Sequence, residues 1–185
     1  MRVPRLSTEE AKRAAADIGI PEYMGDLSVF QMLLNHPPVA RALNDLLALL
    51  IFKGRLDGRL RELVIMRIGW VTGSVYEWTQ HWRVATGMDI DPDDIVAVRD
   101  WQKHEGFGEA ERAVLQATDE TLRDGTISAD TWEACERHVG GTVELIELVV
   151  AIGNWRMFSA LLRSLEVPLE DGVEAWPPDG LRPTP

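Results

Sequence analysis

The chain has 185 residues, which is enough for one domain with a sizeable core and short for two. Hydrophobic residues make up 45% and charged residues 26% of the chain, the balance of a soluble globular protein. The formal net charge of −11 repels nucleic acid and anionic membranes, so we expect neither as a partner.

Helical patterns follow one another along almost the whole chain. Ser7 and Glu10 predict a capping box at the start of the first helix, which stops at Gly19 and Pro21. No segment alternates like a strand, so we predict an all-α, single-domain bundle of about eight helices. Apolar residues recur at helical spacing in the segments 26–36, 39–53, 59–71, 74–87, 91–102, 109–124, 128–139 and 142–167.

The end of the sequence changes in composition. The Pro- and Gly-rich residues 168–185 predict an extended tail after a helical domain that spans residues 1–167. The apolar side chains of Val173 and Trp176 indicate that this tail packs on the helical body or on a neighbouring subunit. The long apolar helix over 143–165 and the seven tryptophans exceed what one small bundle easily buries, which favours a homo-oligomer.

Cysteine and histidine are scarce. Cys135 is the only cysteine, which excludes an intramolecular disulfide and a thiol-rich metal site. The four histidines form no metal-binding motif, so we expect neither a metal nor a cofactor. The N-terminal residues lack the apolar stretch of a signal peptide, and the longest apolar run, 46–52, is too short for a membrane span. We therefore expect a cytoplasmic protein.

Two blocks of the sequence carry a family resemblance. The first, residues 54–98, contains RELVIMR followed by YEWTQH, and the second, residues 143–162, reads VELIELVVAIGNWRMFSALL. Together they resemble the carboxymuconolactone decarboxylase family, the all-helical group that includes the alkylhydroperoxidase AhpD. The resemblance implies an AhpD-like fold, a small-molecule substrate and assembly of the chain with itself into a trimer or hexamer.

The resemblance also implies where the site lies. The peroxidase branch has a glutamate, a C-x-x-C pair whose first cysteine follows twelve residues later, and a histidine four residues after the second cysteine. Glu62 and His81 match the glutamate and the histidine, whereas Ser74 and Glu77 replace the two cysteines. Dithiol peroxide reduction needs a thiolate and a resolving thiol. We therefore expect no peroxiredoxin-type activity, although the resemblance to a family that includes peroxidases implies it.

Helical spacing brings the candidate catalytic residues to one face. Ser74, Glu77 and His81 share a helix face, and Glu62 lies on the preceding helix. We predict His81 as general acid or base, Glu62 as the carboxylate that orients its ring, and Glu77 as an assisting group. The same spacing also fits a capping box, in which Ser74 caps the helix and Glu77 folds back onto its backbone amide.

Substrate binding calls for other groups. Decarboxylation of a lactone acid requires a side chain that holds the carboxylate, and Arg67 and Arg83 are the predicted guanidinium groups. Tyr76 and Trp78 are candidate substrate-binding residues, although aromatic side chains at such positions more often belong to a core or an interface.

Three functions from different classes follow from these residues. The favoured one is a carboxymuconolactone decarboxylase-like enzyme that works by Glu62–His81 proton transfer. The loss of both cysteines favours the second, a catalytically idle helical oligomer or ligand-binding scaffold. The third is a hydrolase with Ser74, His81 and Glu62 as its triad, against which the capping interpretation of Ser74 counts.

Overall fold

The computed structural model describes residues 2–184, and within this range it contains no β-strand. It is 70% helical, which confirms the predicted all-α class. The α-helices are α1 (Thr8–Asp17), α2 (Ser28–Leu33), α3 (Pro37–Ala48), α4 (Gly58–Thr72), α5 (Val75–Gly87), α6 (Pro92–Ala97), α7 (Glu109–Asp124), α8 (Ala129–His138) and α9 (Thr142–Leu165). Short 3₁₀ turns at Glu22–Asp26 and Val98–Lys103 and a π-turn at Leu49–Lys53 connect some of them.

The described chain divides into two compact units. The first unit comprises residues 2–53 and 161–173, and the second comprises residues 54–160 and 174–184. The predicted catalytic residues Glu62, Glu77 and His81, together with Ser74, lie in the second unit. The expected boundary between a helical domain and a tail at residue 167 stays a prediction.

The predicted start of the first helix is confirmed, and a second side-chain cap lies at the start of α6. The Ser7 hydroxyl accepts the Glu10 backbone N–H at 3.3 Å, and the Glu10 carboxylate accepts the Ser7 backbone N–H at 2.9 Å. Asp91 caps α6 by accepting the Asp93 backbone N–H at 2.9 Å, with Pro92 at the first helical position. The predicted helix over 39–53 is shorter than expected, because the last five residues, Leu49–Lys53, wind as a π-turn.

The junction between α4 and α5 positions the candidate site. Gly73 ends α4 in the left-handed conformation, with φ of 68°, and the Ser74 backbone N–H then donates to the Gly69 carbonyl at 2.9 Å. Gly69 also lets α5 approach α4 closely, since a Cβ there would lie 3.1 Å from the Trp78 backbone nitrogen. The two helices therefore meet where their functional side chains are.

Helix α9 is apolar along most of its length. It is 24 residues long, and its most apolar window has a mean hydropathy of 1.5, so it is long and apolar enough to cross a membrane. No uninterrupted apolar run of that length occurs in α9, because Glu147, Asn154 and Arg156 interrupt it, so the helix meets the criterion by its mean hydropathy. Half of that window is buried, and a buried core helix satisfies the same criteria, so α9 is only weak evidence for a membrane segment.

Candidate acid–base site

A buried cluster of ionisable side chains joins α4 to α5. Glu62, in the middle of α4, is fully buried, and its Oε2 lies 2.7 Å from His81 Nδ1 on α5. Its other carboxylate oxygen, Oε1, lies 3.1 Å from the guanidinium of Arg61. Glu77 Oε2 lies 3.5 Å from His81 Nε2. The structure thus brings together the three residues that we predicted as catalytic.

Helix α9 adds a tryptophan to this cluster. Trp155 donates its indole N–H to His81 Nε2 at 3.1 Å, and the two rings meet edge to face with centroids 5.8 Å apart. Because an indole nitrogen is only a donor, His81 Nε2 accepts in this arrangement and carries no proton. The ring proton then sits on Nδ1, which donates to Glu62. The cluster therefore holds His81 as the neutral Nδ1–H tautomer with its Nε2 lone pair buried beside Glu77.

The surroundings shift the pKa values of the cluster in different directions. Burial raises the pKa of Glu77 to about 7, and the charge of His81 only partly opposes this. Burial acts on Glu62 in the same sense, yet the contacts with His81 and Arg61 prevail and lower the pKa of Glu62. Burial lowers the pKa of His81, but the neighbouring Glu62 carboxylate outweighs burial and raises it above its ordinary value.

One mobile proton follows from these shifts. Arg61 compensates the ionised Glu62, which leaves Glu77 and His81 Nε2 to share a proton near neutral pH. When the proton sits on Nε2, the imidazolium faces two carboxylates and gives up the Trp155 hydrogen bond. When it sits on Glu77, the imidazole is neutral and keeps that bond. The arrangement can therefore accept or deliver a proton at Nε2.

The capping-box interpretation of Ser74 and Glu77 is wrong. Ser74 occupies the N-cap position of α5, but its hydroxyl is buried and has no hydrogen-bond partner within residues 2–184. Glu77 does not fold back, because the Ser74 backbone N–H is already bound to the Gly69 carbonyl at the end of α4. The Glu77 carboxyl group lies beside His81 instead. The unbonded Ser74 hydroxyl also lacks the contact to His81 that a hydrolase triad needs.

The predicted substrate-binding arginines lie elsewhere. Arg67 binds both carboxylate oxygens of Asp119, at 2.7 and 2.9 Å, and also donates to the Val98 and Arg99 carbonyls. Arg83 is exposed, and its guanidinium forms no hydrogen bond or ion pair within the described part of the chain. Neither contacts the acid–base cluster, and their role in substrate binding stays a prediction.

The two predicted aromatic residues are both buried. Tyr76 is 5% exposed, and Trp78 is fully buried and donates its indole N–H to the Pro177 carbonyl at 2.7 Å. Trp78 therefore contacts the C-terminal segment rather than His81, and the roles of both residues as substrate-binding groups stay predictions.

Sequence reasoning missed two members of the cluster. Arg61 precedes Glu62, and a charged pair inside an otherwise apolar helix was a signal that it is buried as an ion pair. Trp155 lies 74 residues after His81, and nothing in its local sequence connects it to the site. No group of three or more His, Cys, Asp or Glu side chains within residues 2–184 has an arrangement that could hold a metal ion.

The single cysteine lies apart from the site. Cys135 on α8 is fully buried and its thiol contacts the Ala113 carbonyl at 3.7 Å. Burial, with a contribution from Glu120, raises the pKa of the Cys135 thiol to about 11. A thiol with that pKa forms almost no thiolate at neutral pH. Since the chain has no second cysteine, it contains no C-x-x-C pair.

A family model matches the part of the chain that carries the site. Residues 37–120 match the model of the carboxymuconolactone decarboxylase family. The matched segment covers just under half of the chain. It contains Glu62, Glu77 and His81 and ends before Trp155, and it confirms the resemblance seen in the sequence. The match supports a small-molecule enzyme-like protein. No curated protein shows a significant sequence match to the chain.

Solved structures show that the chain has an AhpD-like fold. An uncharacterized peroxidase-related protein with an AhpD core from Ralstonia eutropha JMP134 superposes with a TM-score of 0.74 at 15% identity, covering 92% of each chain. A putative antioxidant defence protein AhpD from Agrobacterium tumefaciens gives 0.68 at 18% identity, covering 74% of this chain and 94% of the other. The debrominase Bmp8, in complex with 2,3,4-tribromopyrrole, gives 0.69 at 17% identity over 88% and 85%. At these identities the likeness establishes the fold alone.

Proposed function

We propose that the chain is a carboxymuconolactone decarboxylase-like enzyme that acts on a small lactone acid by proton transfer through His81. The contact that carries this proposal is the 2.7 Å hydrogen bond between His81 Nδ1 and the buried Glu62 carboxylate. It fixes the tautomer of the ring and compensates the positive charge that the ring acquires when Nε2 is protonated. It therefore leaves Nε2 as the atom that exchanges a proton with the substrate.

The proposed reaction replaces a carboxylate by a proton. Loss of CO₂ leaves an electron pair on the substrate carbon, and the protonated His81 Nε2 donates its proton to that carbon. The imidazole returns to its neutral form, with Nδ1–H still bound to Glu62. Glu77, whose pKa is about 7, then supplies the next proton to Nε2 and takes up another from solvent. One substrate carboxylate and one proton thus yield CO₂ and the protonated product.

The carboxylate of the substrate needs a cation. Arg67 and Arg83 remain the residues proposed from the sequence, but Asp119 and two carbonyls already occupy the donors of Arg67. Arg61 is the guanidinium that contacts the cluster, 3.1 Å from Glu62. Glu62 already compensates the charge of Arg61, which is 6% exposed, so Arg67 and Arg83 stay the residues proposed to hold the substrate carboxylate.

A catalytically idle scaffold is the second candidate. Its support is the burial of the cluster, since Glu62 is fully buried and Glu77 is 5% exposed. A buried polar network in which every member has a partner can serve to hold helices in place. The cytoplasmic location and the absence of nucleic-acid and membrane partners belong to either candidate as proposals from composition.

Replacing His81 by glutamine tests the enzyme proposal. If His81 carries the proton, turnover of lactone acids, measured as CO₂ release, falls by at least about 100-fold in His81→Gln. His138→Gln is a matched control, because His138 is exposed on α8 and lies outside the cluster. Equal turnover in wild type and His81→Gln would contradict the proposal, and a folded wild-type protein without turnover of any lactone acid would favour the scaffold.

We also propose that the protein is a homo-oligomer, a trimer or hexamer. Large apolar side chains on α9 are 39–57% exposed, and Val143, Ile146, Val150 and Met157 follow one another at spacings of three, four and seven residues, as one side of a helix does, with Val149 beside them. An apolar strip of this kind marks a surface that a subunit interface covers. Ile146→Asp should therefore reduce the mass measured by sedimentation, whereas Val39→Asp on α3 should not. A wild-type monomer at micromolar concentration would refute this assembly.

A further inference from the structure

The C-terminal residues 174–184 run along the helix that carries the site. The Trp176 backbone N–H donates to the Thr79 hydroxyl at 3.2 Å, and the Pro177 carbonyl accepts the Trp78 indole N–H at 2.7 Å. Further along, Pro183 lies against Gly73, at the start of α5. The segment therefore follows α5 from its middle back to its N-terminus, and we name residues 174–184 the C-terminal clamp.

A charged pair closes this clamp. The two carboxylate oxygens of Asp179 lie 2.7 and 3.0 Å from the guanidinium of Arg99. The guanidinium itself lies 4.6 Å from the ring of Trp70 and 4.8 Å from that of Trp78, and the Trp176 ring lies 6.1 Å from both indoles. A bidentate ion pair combined with two cation–π contacts holds the guanidinium in one orientation. Asp179 is thereby fixed to the aromatic cluster under the clamp.

The clamp is held by few contacts. Trp176 is buried, but the residues that follow it are mostly exposed, and the Asp179 side chain is 38% exposed. Water therefore reaches the carboxylate of the ion pair, while the indole remains its main buried anchor. A segment with so little buried surface opens more easily than the helices beneath it.

The first turn of α5 is sealed although its polar groups would gain from water. Ser74 is 1% exposed and its hydroxyl has no hydrogen-bond partner, so its desolvation is not compensated. Glu77, one turn further along, is 5% exposed and its burial raises its pKa to about 7. Opening of this turn would hydrate both groups. The clamp reaches this turn through Pro183, which lies against Gly73, the residue directly before Ser74.

We propose that residues 174–184 are a releasable clamp on α5, and that release of the Asp179–Arg99 pair opens the Ser74–Glu77 turn to solvent and ligand. Asp179 and Trp176 are positioning residues, because they act on the site through Trp78 and Thr79. The inference goes beyond the proposed decarboxylase, since a clamp of this kind would equally gate ligand entry into a catalytically idle scaffold.

Thiol accessibility at position 74 tests the clamp. In a Cys135→Ser background, a Ser74→Cys variant carries its only thiol under the clamp, and its labelling rate by a maleimide under native conditions reports opening. Asp179→Asn removes the charged pair and should raise that rate about tenfold, the loss of a partly exposed bidentate pair. Glu174→Gln is the matched control, because it removes the same charge from an exposed side chain in the same segment, and it should leave the rate unchanged.

Two measurements keep the result decisive. Urea unfolding of each variant separates local opening from global unfolding, since only local opening accelerates labelling at unchanged global stability. If Ser74→Cys does not fold, amide hydrogen exchange of residues 75–78 in the otherwise native chain gives the same comparison. Equal opening in Asp179→Asn and Glu174→Gln would overturn the clamp. Because neither readout uses turnover, failure of the clamp and failure of the proposed activity are distinguishable.

Discussion

Replacing Glu62 by glutamine is expected to lower the free energy of unfolding by about 3 kcal/mol, the scale of breaking a buried ion pair. The substitution keeps the shape of the side chain but leaves Arg61, which is 6% exposed, without the carboxylate that compensates its charge. It also leaves His81 Nδ1 facing an amide. Urea unfolding at pH 6 measures the effect, and Glu105→Gln, a substitution in an exposed loop, serves as the control.

The same substitution should lower the pKa of His81. The Glu62 carboxylate raises that pKa against the effect of burial, so its removal leaves burial and Arg61, which lower the pKa, opposed by Glu77 alone. Because the pKa of His81 is higher in the folded chain than in the unfolded chain, protonated His81 stabilises the fold. This stabilisation is fully present below pH 6.5, the ordinary pKa, and is lost as the pH rises through the pKa of the folded chain. The pKa of Glu62 is lowered in the folded chain, so ionised Glu62 stabilises the fold above pH 4.5. This contribution is lost as the pH falls below 4.5 through the pKa of the folded chain.

The loss of stability in Glu62→Gln is therefore expected to be largest between about pH 4.5 and 6.5, the two ordinary values. NMR titration of the His81 ring in both proteins measures the pKa directly, with the other histidines as internal references. An unchanged His81 titration would mean that the 2.7 Å contact is not an ion pair in solution, and would leave His81 as a packed core residue.

The sequence allowed the Glu62, Glu77 and His81 cluster to be predicted, because the geometry of two consecutive helices determines it. Residues 77 and 81 lie one turn apart on a single helix, and a short connection brings residue 62 of the preceding helix beside them. The AhpD-like resemblance predicted the same residues. Burial of Trp176 was likewise predictable, since a bulky indole in a polar tail needs an apolar environment.

Other parts of the site depend on contacts that no local pattern contains. The capping box does not form because the backbone N–H of Ser74 donates to the Gly69 carbonyl at the end of α4. The sequence motif alone does not show that this acceptor is available. Arg67 was expected to meet a substrate, but Asp119, 52 residues away, binds it. The Trp155–His81 bond joins positions 74 residues apart. Such pairings follow from how the helices pack, and helical spacing does not determine them.

Glu77→Gln is expected to change how stability depends on pH. In the unfolded chain the Glu77 carboxyl releases its proton near 4.5, whereas in the folded chain burial holds it to about pH 7. The folded state binds more protons between these values, so the stability of the wild type falls as the pH rises from 4.5 to 7. The difference in pKa corresponds to a loss of about 3 kcal/mol in the free energy of unfolding of the wild type. A glutamine has no proton to release, so the variant would not show this loss.

The variant should therefore match the wild type near pH 4.5 and exceed its stability at pH 8, as urea unfolding over that range would show. His81 contributes a dependence of the same sign in both proteins, and since Glu77 itself raises the pKa of His81, the difference between the two curves reports the Glu77–His81 pair. A constant difference at all pH values would mean that Glu77 is ionised throughout and does not share the proton of His81. Since an ionised buried carboxylate is costly, a gain in stability at pH 8 would show that Glu77 is retained for a purpose other than folding, as the proposed proton supply to His81 requires.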